Sequence, residues 1–254
     1  KLANIIDGQF EQWYLQDGTP TLLVERIDRS GTDVTVFFSQ SCPPSQLQPT
    51  KLPFVIPIKF GVMDPDTGKD LPIVVSEENS SDLLHGDTFV MTKESESLIL
   101  HNVPNNAKLS LLRSLSAPVK LKVPKSIHSI DHLAFQMAND QDWFNRYDAS
   151  QKFATHIILK KINDTESTCE LKQYLMSFRK MLNDKDVDAA LKASALTLPN
   201  FENLNDEFLN DSNPDAICRA RKALKIFLAD TLKEEFLKTF NDAKNICGEK
   251  YKFI

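Results

Sequence analysis

Residues 10–72 read FEQWYLQDGTPTLLVERIDRSGTDVTVFFSQSCPPSQLQPTKLPFVIPIKFGVMDPDTGKDLP, and the punctuation in this stretch decides the fold. Phe10, Trp13 and Tyr14 recur at i, i+3 and i+4, on one face of a short helix. Asp7 is placed to cap that helix, and Gly18 to stop it. Residues 21–27 (TLLVERI) and 33–40 (DVTVFFSQ) then flank Asp28-Arg29-Ser30-Gly31, a hairpin signal. Val34, Val36 and Phe38 alternate with Asp33 and Thr35, the period of a strand with one buried face. The segment from Cys42 to Pro53 carries four prolines, Pro53 included. Each denies a donor to a sheet ladder, so this segment reads as an extended crossover between sheets. Residues 54–62 (FVIPIKFGV) and 71–75 (LPIVV) flank a polar turn at Asp64-Pro65-Asp66-Thr67-Gly68. Pro57 inside the first of them predicts an edge strand or a bulge.

Beyond this stretch, TFVMT, SLILHNV, LSLLRSL and PVKLKV bring the count to about eight strands with short turns, the pattern of a small sandwich. Composition then changes near Lys125. Eleven of the 13 prolines and six of the 7 glycines precede it, leaving Pro199, Pro214 and Gly248 after it. Gly and Pro are costly inside helices, so the second half reads as helical. Ser126 is placed to cap a helix carrying Ile127, Ile130, Leu133, Ala134 and Met137. A second helix spans 145–161, with Tyr147, Phe153, His156 and Ile157 available for packing. Others span 170–182 and 187–196. Asn213 followed by Pro214 marks the start of the last helix, whose apolar face carries Ile217, Leu224, Phe227, Leu228, Phe236 and Phe240. Paired helices with short loops suggest an α-α superhelix or bundle, although no clean repeat stands out. The expected fold class is therefore mixed: an Ig-like antiparallel β-sandwich followed by an incomplete all-α domain.

A formal net charge of −5 and a pI near 5.6 argue against a nucleic-acid partner, which would demand a basic face. No apolar run reaches the roughly 20 residues needed to span a bilayer, and the first residues lack the pattern of a signal peptide. Cys42, Cys169, Cys218 and Cys247 are widely separated and form no CxxC. With no secretion signal, free thiols in the cytoplasm are the expectation.

Few residues invite a chemical reading. His128 and His132 at i and i+4 share a helix face, as a zinc pair must. However, HExxH needs Glu where Ser129 stands, the inverted HxxEH needs Glu where Asp131 stands, and spacing supplies no third ligand. Cys42 with His85 or His101 would need a third orienting group. Ser110 and Ser116, read as strand residues, sit in no GxSxG elbow. Asp140-Gln141-Asp142 and Asp184-Lys185-Asp186 lack the spacing of a calcium loop and read as caps and turns. Arg146 is expected to bond a nearby carboxylate or carbonyl. No catalytic, metal-binding or cofactor-binding residue is assigned.

Several pieces do stand in a specific order: Trp13-Tyr14 with Gly18-Thr19-Pro20; Ser39-Gln40-Ser41-Cys42-Pro43-Pro44; Pro53-Phe54-Val55-Ile56-Pro57-Ile58; Asp70-Leu71-Pro72; Ser116-Ala117-Pro118-Val119-Lys120; and Asn139-Asp140 through Arg146-Tyr147-Asp148-Ala149. In order and spacing they resemble the part of M1-family zinc aminopeptidases (aminopeptidase N type) just downstream of the catalytic domain. The family's zinc motif HExxH and substrate-amine motif GxMEN occur nowhere in the 254 residues. The resemblance implies three segments: residues 1–18 as the tail of a catalytic domain with a linking helix, 19–125 as a β-sandwich, and 126–254 as the first part of a helical domain. Together with Lys rather than Met at position 1, it suggests a piece of a longer zinc aminopeptidase. Such a piece would be inactive alone, hold no zinc itself, and brace the helical domain against the zinc domain. Its expected partners are the catalytic domain and later helices, with no nucleic acid and no membrane. Self-association is expected through the Phe10, Trp13, Tyr14 face and one side of the 213–240 helix. A free-standing interaction module of sandwich plus helices is the rival reading, and a small metalloenzyme built on His128 and His132 a third.

Overall fold

The computed structural model describes residues 8–75, 84–208 and 213–247. Asp7, the expected first cap, lies outside them, as does the side chain of Cys247. The described residues form two compact units. One comprises residues up to 132 with Asp140–Asn145, the other Leu133–Asn139 with residues from 146 onward.

The first unit is a β-sandwich. Its strands are β1 (Thr21–Ser30), β2 (Asp33–Ser41), β3 (Ile56–Met63), β4 (Val74–Val75), β5 (Leu84–His85), β6 (Thr88–Met91), β7 (Ser95–His101), β8 (Lys108–Leu111) and β9 (Lys120–Lys122). One sheet runs β4-β7-β2-β1-β9 and the other β5-β6-β3-β8. Leu22, Val24, Val34, Val36 and Phe38 of the first sheet share one core with Ile56, Ile58, Phe60, Phe89 and Met91 of the second. Burying each such side chain stabilises the fold by roughly 1.5–3 kcal/mol.

The β1–β2 hairpin is longer and its turn tighter than the polar residues suggest. Ser30 pairs with Asp33 across a two-residue loop, and Gly31 takes φ +61° at its first position, as a II′ turn requires. A register shift between Val24 and Arg26 bulges β1. The inward row of β2 proceeds as expected through Val34, Val36 and Phe38, and then places Gln40 inside. Its amide donates to the carbonyls of Phe54 and Lys93 (both 2.9 Å) and its oxygen accepts from Phe54 N (2.8 Å). Gln40 thereby satisfies backbone groups that the proline-rich crossover could not pair in a ladder.

Three expectations are corrected. The sandwich is not wholly antiparallel, because β9 pairs with β1 in parallel (Thr21 opposite Lys120). The chain leaves the second sheet after β8 and reaches the first sheet's far edge by a crossover, which permits parallel pairing. Next, β3 is central in its sheet rather than an edge. Its first half pairs only with β6 and its second half with β8. Pro57 falls in the half paired on one side. On the other side Ser116 Oγ donates to Pro57 O (2.9 Å) and accepts from Lys59 N (3.0 Å), so the missing proline donor costs no ladder bond. Last, Ser116 is not in a strand but follows a 3-10 turn, Arg113–Leu115.

Before the sandwich, α1 (Gln12–Leu15) does not present its three aromatics together. Trp13 turns inward, donating from Nε1 to Val55 O (2.9 Å), with its ring 4.7 Å from that of Phe54. Phe10 and Tyr14 are exposed.

The remaining helices are α2 (Ile130–Asn139), α3 (Trp143–Ile162), α4 (Thr168–Asn183), α5 (Ala189–Ala195), α6 (Phe201–Asn205), α7 (Pro214–Thr231) and α8 (Lys233–Cys247). Ser129, not Ser126, caps α2: its Oγ accepts from His132 N (3.2 Å), while Pro124 O holds Ile127 N and His128 N in a preceding turn. Ser167 accepts from Glu170 N at the start of α4, Asp188 from Ala190 N and Leu191 N at α5, and Asn213 from Ala216 N at α7. The expected single last helix is two. Leu232, fully buried with φ −111° and ψ 20°, leaves helical geometry between α7 and α8. The sequence there carries no Gly or Pro to mark the break. Phe240, expected on the apolar face, is exposed. Aromatic rings form the second unit's core: Phe153 to Tyr174 at 5.2 Å, Tyr174 to Phe178 at 5.9 Å and Phe178 to Phe236 at 6.0 Å. These separations suit edge-to-face packing.

Candidate functional site

A buried cluster of polar side chains in the first unit surrounds Arg113. The sequence LSLLRSL (109–115) carries one cation, and the 3-10 turn Arg113–Leu115 that follows β8 places it in the interior. Arg113 grips Asp70 with two parallel bonds, NH1 to Oδ2 (2.6 Å) and NH2 to Oδ1 (2.8 Å). NH2 also lies 3.0 Å from Asp140 Oδ1, and Nε donates to Ser110 Oγ (3.0 Å). Ser110 in turn donates to Asp140 Oδ2 (2.6 Å) and accepts from Asn145 Nδ2 (2.7 Å). Burial alone pushes the Arg113 guanidinium down, but its bonds to Asp70 and the charge of Asp140 outweigh it and hold the group above its usual value.

The backbone is arranged to permit this. Leu112, Ser114 and Leu115 all have positive φ (54°, 57° and 49°), each costing about 1–3 kcal/mol. Asp142 offsets that strain: one carboxylate oxygen accepts from both N and Oγ of Ser114 (2.9 Å each), and the other accepts from Asn145 N (3.0 Å) at the start of α3. Asp142 thus caps the start of α3, in keeping with the reading of that segment as caps and turns, whereas the ion pair of Asp140 with Arg113 was not foreseen.

The arrangement is a lock rather than a reaction centre. Ser110 Oγ already donates to a carboxylate and accepts two bonds, so it has no base free to activate it. A guanidinium does not release its proton near neutral pH. Sequence reasoning named Ser110, Asp140 and Asp142 but missed Arg113 and the role of Asp70. The one available signal was an arginine in the otherwise uncharged run LSLLRSL.

A second cluster lines a cavity of about 270 Å³ in the same unit, walled by Arg29, Asn105, Asn106, Lys108, His128 and His132 among others. His128 and His132 stack with ring centroids 4.5 Å apart and planes at 27°. Metal binding requires in-plane lone pairs converging on one point, whereas near-parallel stacked rings point theirs side by side. Among the described residues no group of three or more His, Cys, Asp or Glu is placed to hold a metal ion. These residues do not fit zinc. Burial, reinforced by the charge of Lys108 and by His128, pushes His132 down to about 3, so it is neutral at ordinary pH.

The other candidate residues stay apart. Cys42 follows one end of β2, its thiol 3.6 Å from Asp17 O. His101 pairs with Asp33 (2.9 Å) at the other end, and His85 belongs to β5 in the other sheet. In the second unit, Arg146 finds both kinds of partner foreseen: Nε donates to Met137 O (3.1 Å) and NH1 to Asp184 (2.7 Å). Asp184 also accepts from Asp186 N (3.1 Å), so that acidic group is a turn and an ion-pair partner. Cys42, Cys169 and Cys218 are free thiols, and no helix among the described residues is long and apolar enough to cross a membrane.

Two family models match. Residues 18–124 match a domain of unknown function (DUF3458) with an Ig-like fold, and residues 130–252 match its companion (DUF3458_C), described as ARM repeats. The chain is 30% identical over 243 residues to aminopeptidase N of Escherichia coli (strain K12), and 28% identical over 243 residues to aminopeptidase N of Haemophilus influenzae. Each match covers 94% of this chain and 27% of the relative. Among solved structures, a crystal structure of Legionella pneumophila aminopeptidase A in complex with aspartic acid superposes with a TM-score of 0.70 at 21% identity, over 97% of this chain and 26% of that one. The chain thus spans little more than a quarter of the length of these relatives. It is an Ig-like β domain followed by an α-helical repeat domain.

Proposed function

Because the chain is homologous to the C-terminal region of aminopeptidase N of the M1 family, we propose that it is the non-catalytic scaffold of a zinc aminopeptidase that removes N-terminal residues from peptides. The observation that carries this reading is the match of nearly the whole chain to one quarter of each relative, through both of its domains. In the parent enzyme, zinc would polarise the scissile carbonyl and activate water. The residues for that chemistry belong to a catalytic domain outside these 254 residues, which contain neither HExxH nor GxMEN. What this chain contributes is a sandwich (residues 19–125) and helices (126–254) that brace the catalytic domain. The Arg113 lock stiffens the sandwich for that task. Three free thiols support a cytoplasmic parent.

The docking face for the catalytic domain is the exposed Phe10, Tyr14 and Leu15 patch, whose neighbour Trp13 anchors it to the sandwich. Exposed apolar groups clustered in this way mark an interaction surface. The test titrates this chain into the separately produced catalytic portion of the parent. A complex that the Phe10→Ala, Tyr14→Ala double variant weakens supports the assignment. No complex, or one indifferent to the double variant, overturns it.

A further inference from the structure

We infer that the crossover between the sheets, residues 42–53, forms the second half of the docking face, and that its occupant is the catalytic domain of the parent enzyme; this rests on the scaffold reading and extends that face from α1 to Leu47 and Leu52. The two leucines are 91% and 57% exposed. One exposed leucine alone is uninformative, but these two lie on a hydrogen-bonded seam with α1. Gln16 Nε2 donates to Leu52 O (3.0 Å) and Gln16 Oε1 accepts from Leu52 N (2.5 Å). Gln48, next to Leu47, donates to Leu15 O (2.7 Å) and accepts from Asp17 N (2.9 Å). On the α1 side of the seam, the exposed Phe10 stands against Tyr14, ring centroids 6.2 Å apart. Exposed apolar groups gathered from two segments in this way mark an interaction surface.

The crossover is also fastened, through Lys51, whose side chain is buried. Its ammonium donates to Asp17 O (3.0 Å), to the Asp17 carboxylate and to Gln48 Oε1 (2.7 Å), with Ser45 Oγ at 3.5 Å. An ammonium has three donors, and Lys51 commits them to joining the crossover to the residues that follow α1. The four prolines restrict the crossover's backbone further. A surface ordered before its partner arrives loses little entropy on docking. The choice of partner follows from the chain path. The chain is homologous to the C-terminal region of relatives of which it covers 27%. Most of the parent would therefore lie upstream and join this chain through the residues that lead into α1, at the edge of this face, and the domain immediately upstream is the catalytic one.

Maleimide labelling of Leu47→Cys in this chain and in the intact parent tests the assignment, with Tyr14→Cys as the companion probe and each position read by tandem mass spectrometry. Both side chains are exposed here, so neither substitution disturbs the core. Both positions should label freely in this chain and at least about tenfold more slowly in the parent, where the catalytic domain covers the thiol. Protection of position 14 in the parent, with position 47 still labelling at the rate of the isolated chain, overturns this inference and leaves the scaffold reading standing. Free labelling at both positions in the parent overturns the two together. Slow labelling of position 47 in the isolated chain, deepening as its concentration rises, makes the occupant a second copy of this chain and likewise overturns the assignment.

Discussion

Arg113 lies directly against the α-carbon of Gly61: a Cβ added to Gly61 would stand 2.2 Å from the guanidinium carbon. Gly61 sits in β3 opposite Ser110 of β8, with no positive φ to explain it. Its lack of a side chain is what lets a cation enter the sheet and reach Asp70 and Asp140. Gly61→Ala must therefore displace Arg113 from both carboxylates. The expected cost is roughly 3 kcal/mol, from overpacking and a disrupted buried ion pair. It should appear in urea unfolding as a lower midpoint with an unchanged slope.

Asp140 has no exposed side-chain area, whereas Asp70 is partly open to solvent. Removing Asp140 leaves Arg113 and Ser110 buried with a partner missing. Asp140→Ala should cost about 3–5 kcal/mol. The double variant Arg113→Met, Asp140→Ala should cost clearly less than the sum of its parts, because no charge is left buried alone. An additive cycle in the same unfolding assay would refute the coupling.

His132 gives the stability a pH signature. Its folded-state value, about 3, lies below the ordinary histidine value near 6.5. Between these limits the unfolded chain binds a proton that the folded chain does not, so stability rises with pH. The contribution is intact above about pH 6.5 and falls by about 1.4 kcal/mol for each pH unit below it. His132→Phe should remove that slope between pH 6.5 and 4.5 in parallel unfolding titrations. Equal slopes for the two proteins would show that His132 titrates normally.

Adjacent aromatics on α1 should behave oppositely. Trp13→Ala breaks the bond to Val55 O and vacates the contact with Phe54, at a cost of about 3 kcal/mol. Tyr14 is 83% exposed, so Tyr14→Ala should change stability by less than about 0.5 kcal/mol. Thermal unfolding of the two single variants distinguishes them.

What the sequence made legible was local. The alternation of Val34, Val36 and Phe38 sets the inward face of β2, and Asn213 with Pro214 marks the start of α7 without help from distant contacts. The ordered pieces from Trp13 to Ala149 pointed to the family. What it hid depends on distance or on burial. Arg113 meets Asp70 across 43 positions, and Ser110 meets Asp140 across 30. No local pattern encodes either pairing. The break at Leu232 carries no helix-breaking residue, and the parallel pairing of β9 with β1 follows from chain path rather than from residue type. Ser126 and Ser129 are equally good caps in isolation; Pro124, whose carbonyl holds the intervening turn, selects the second.

The central claim, that this chain is scaffold rather than enzyme, is tested most directly by turnover of aminoacyl-coumarin substrates by the purified chain with and without added zinc. A rate indistinguishable from buffer is expected in both cases. Zinc-dependent turnover that is lost in the His128→Ala, His132→Ala double variant would contradict it and place a metal centre on the two histidines instead.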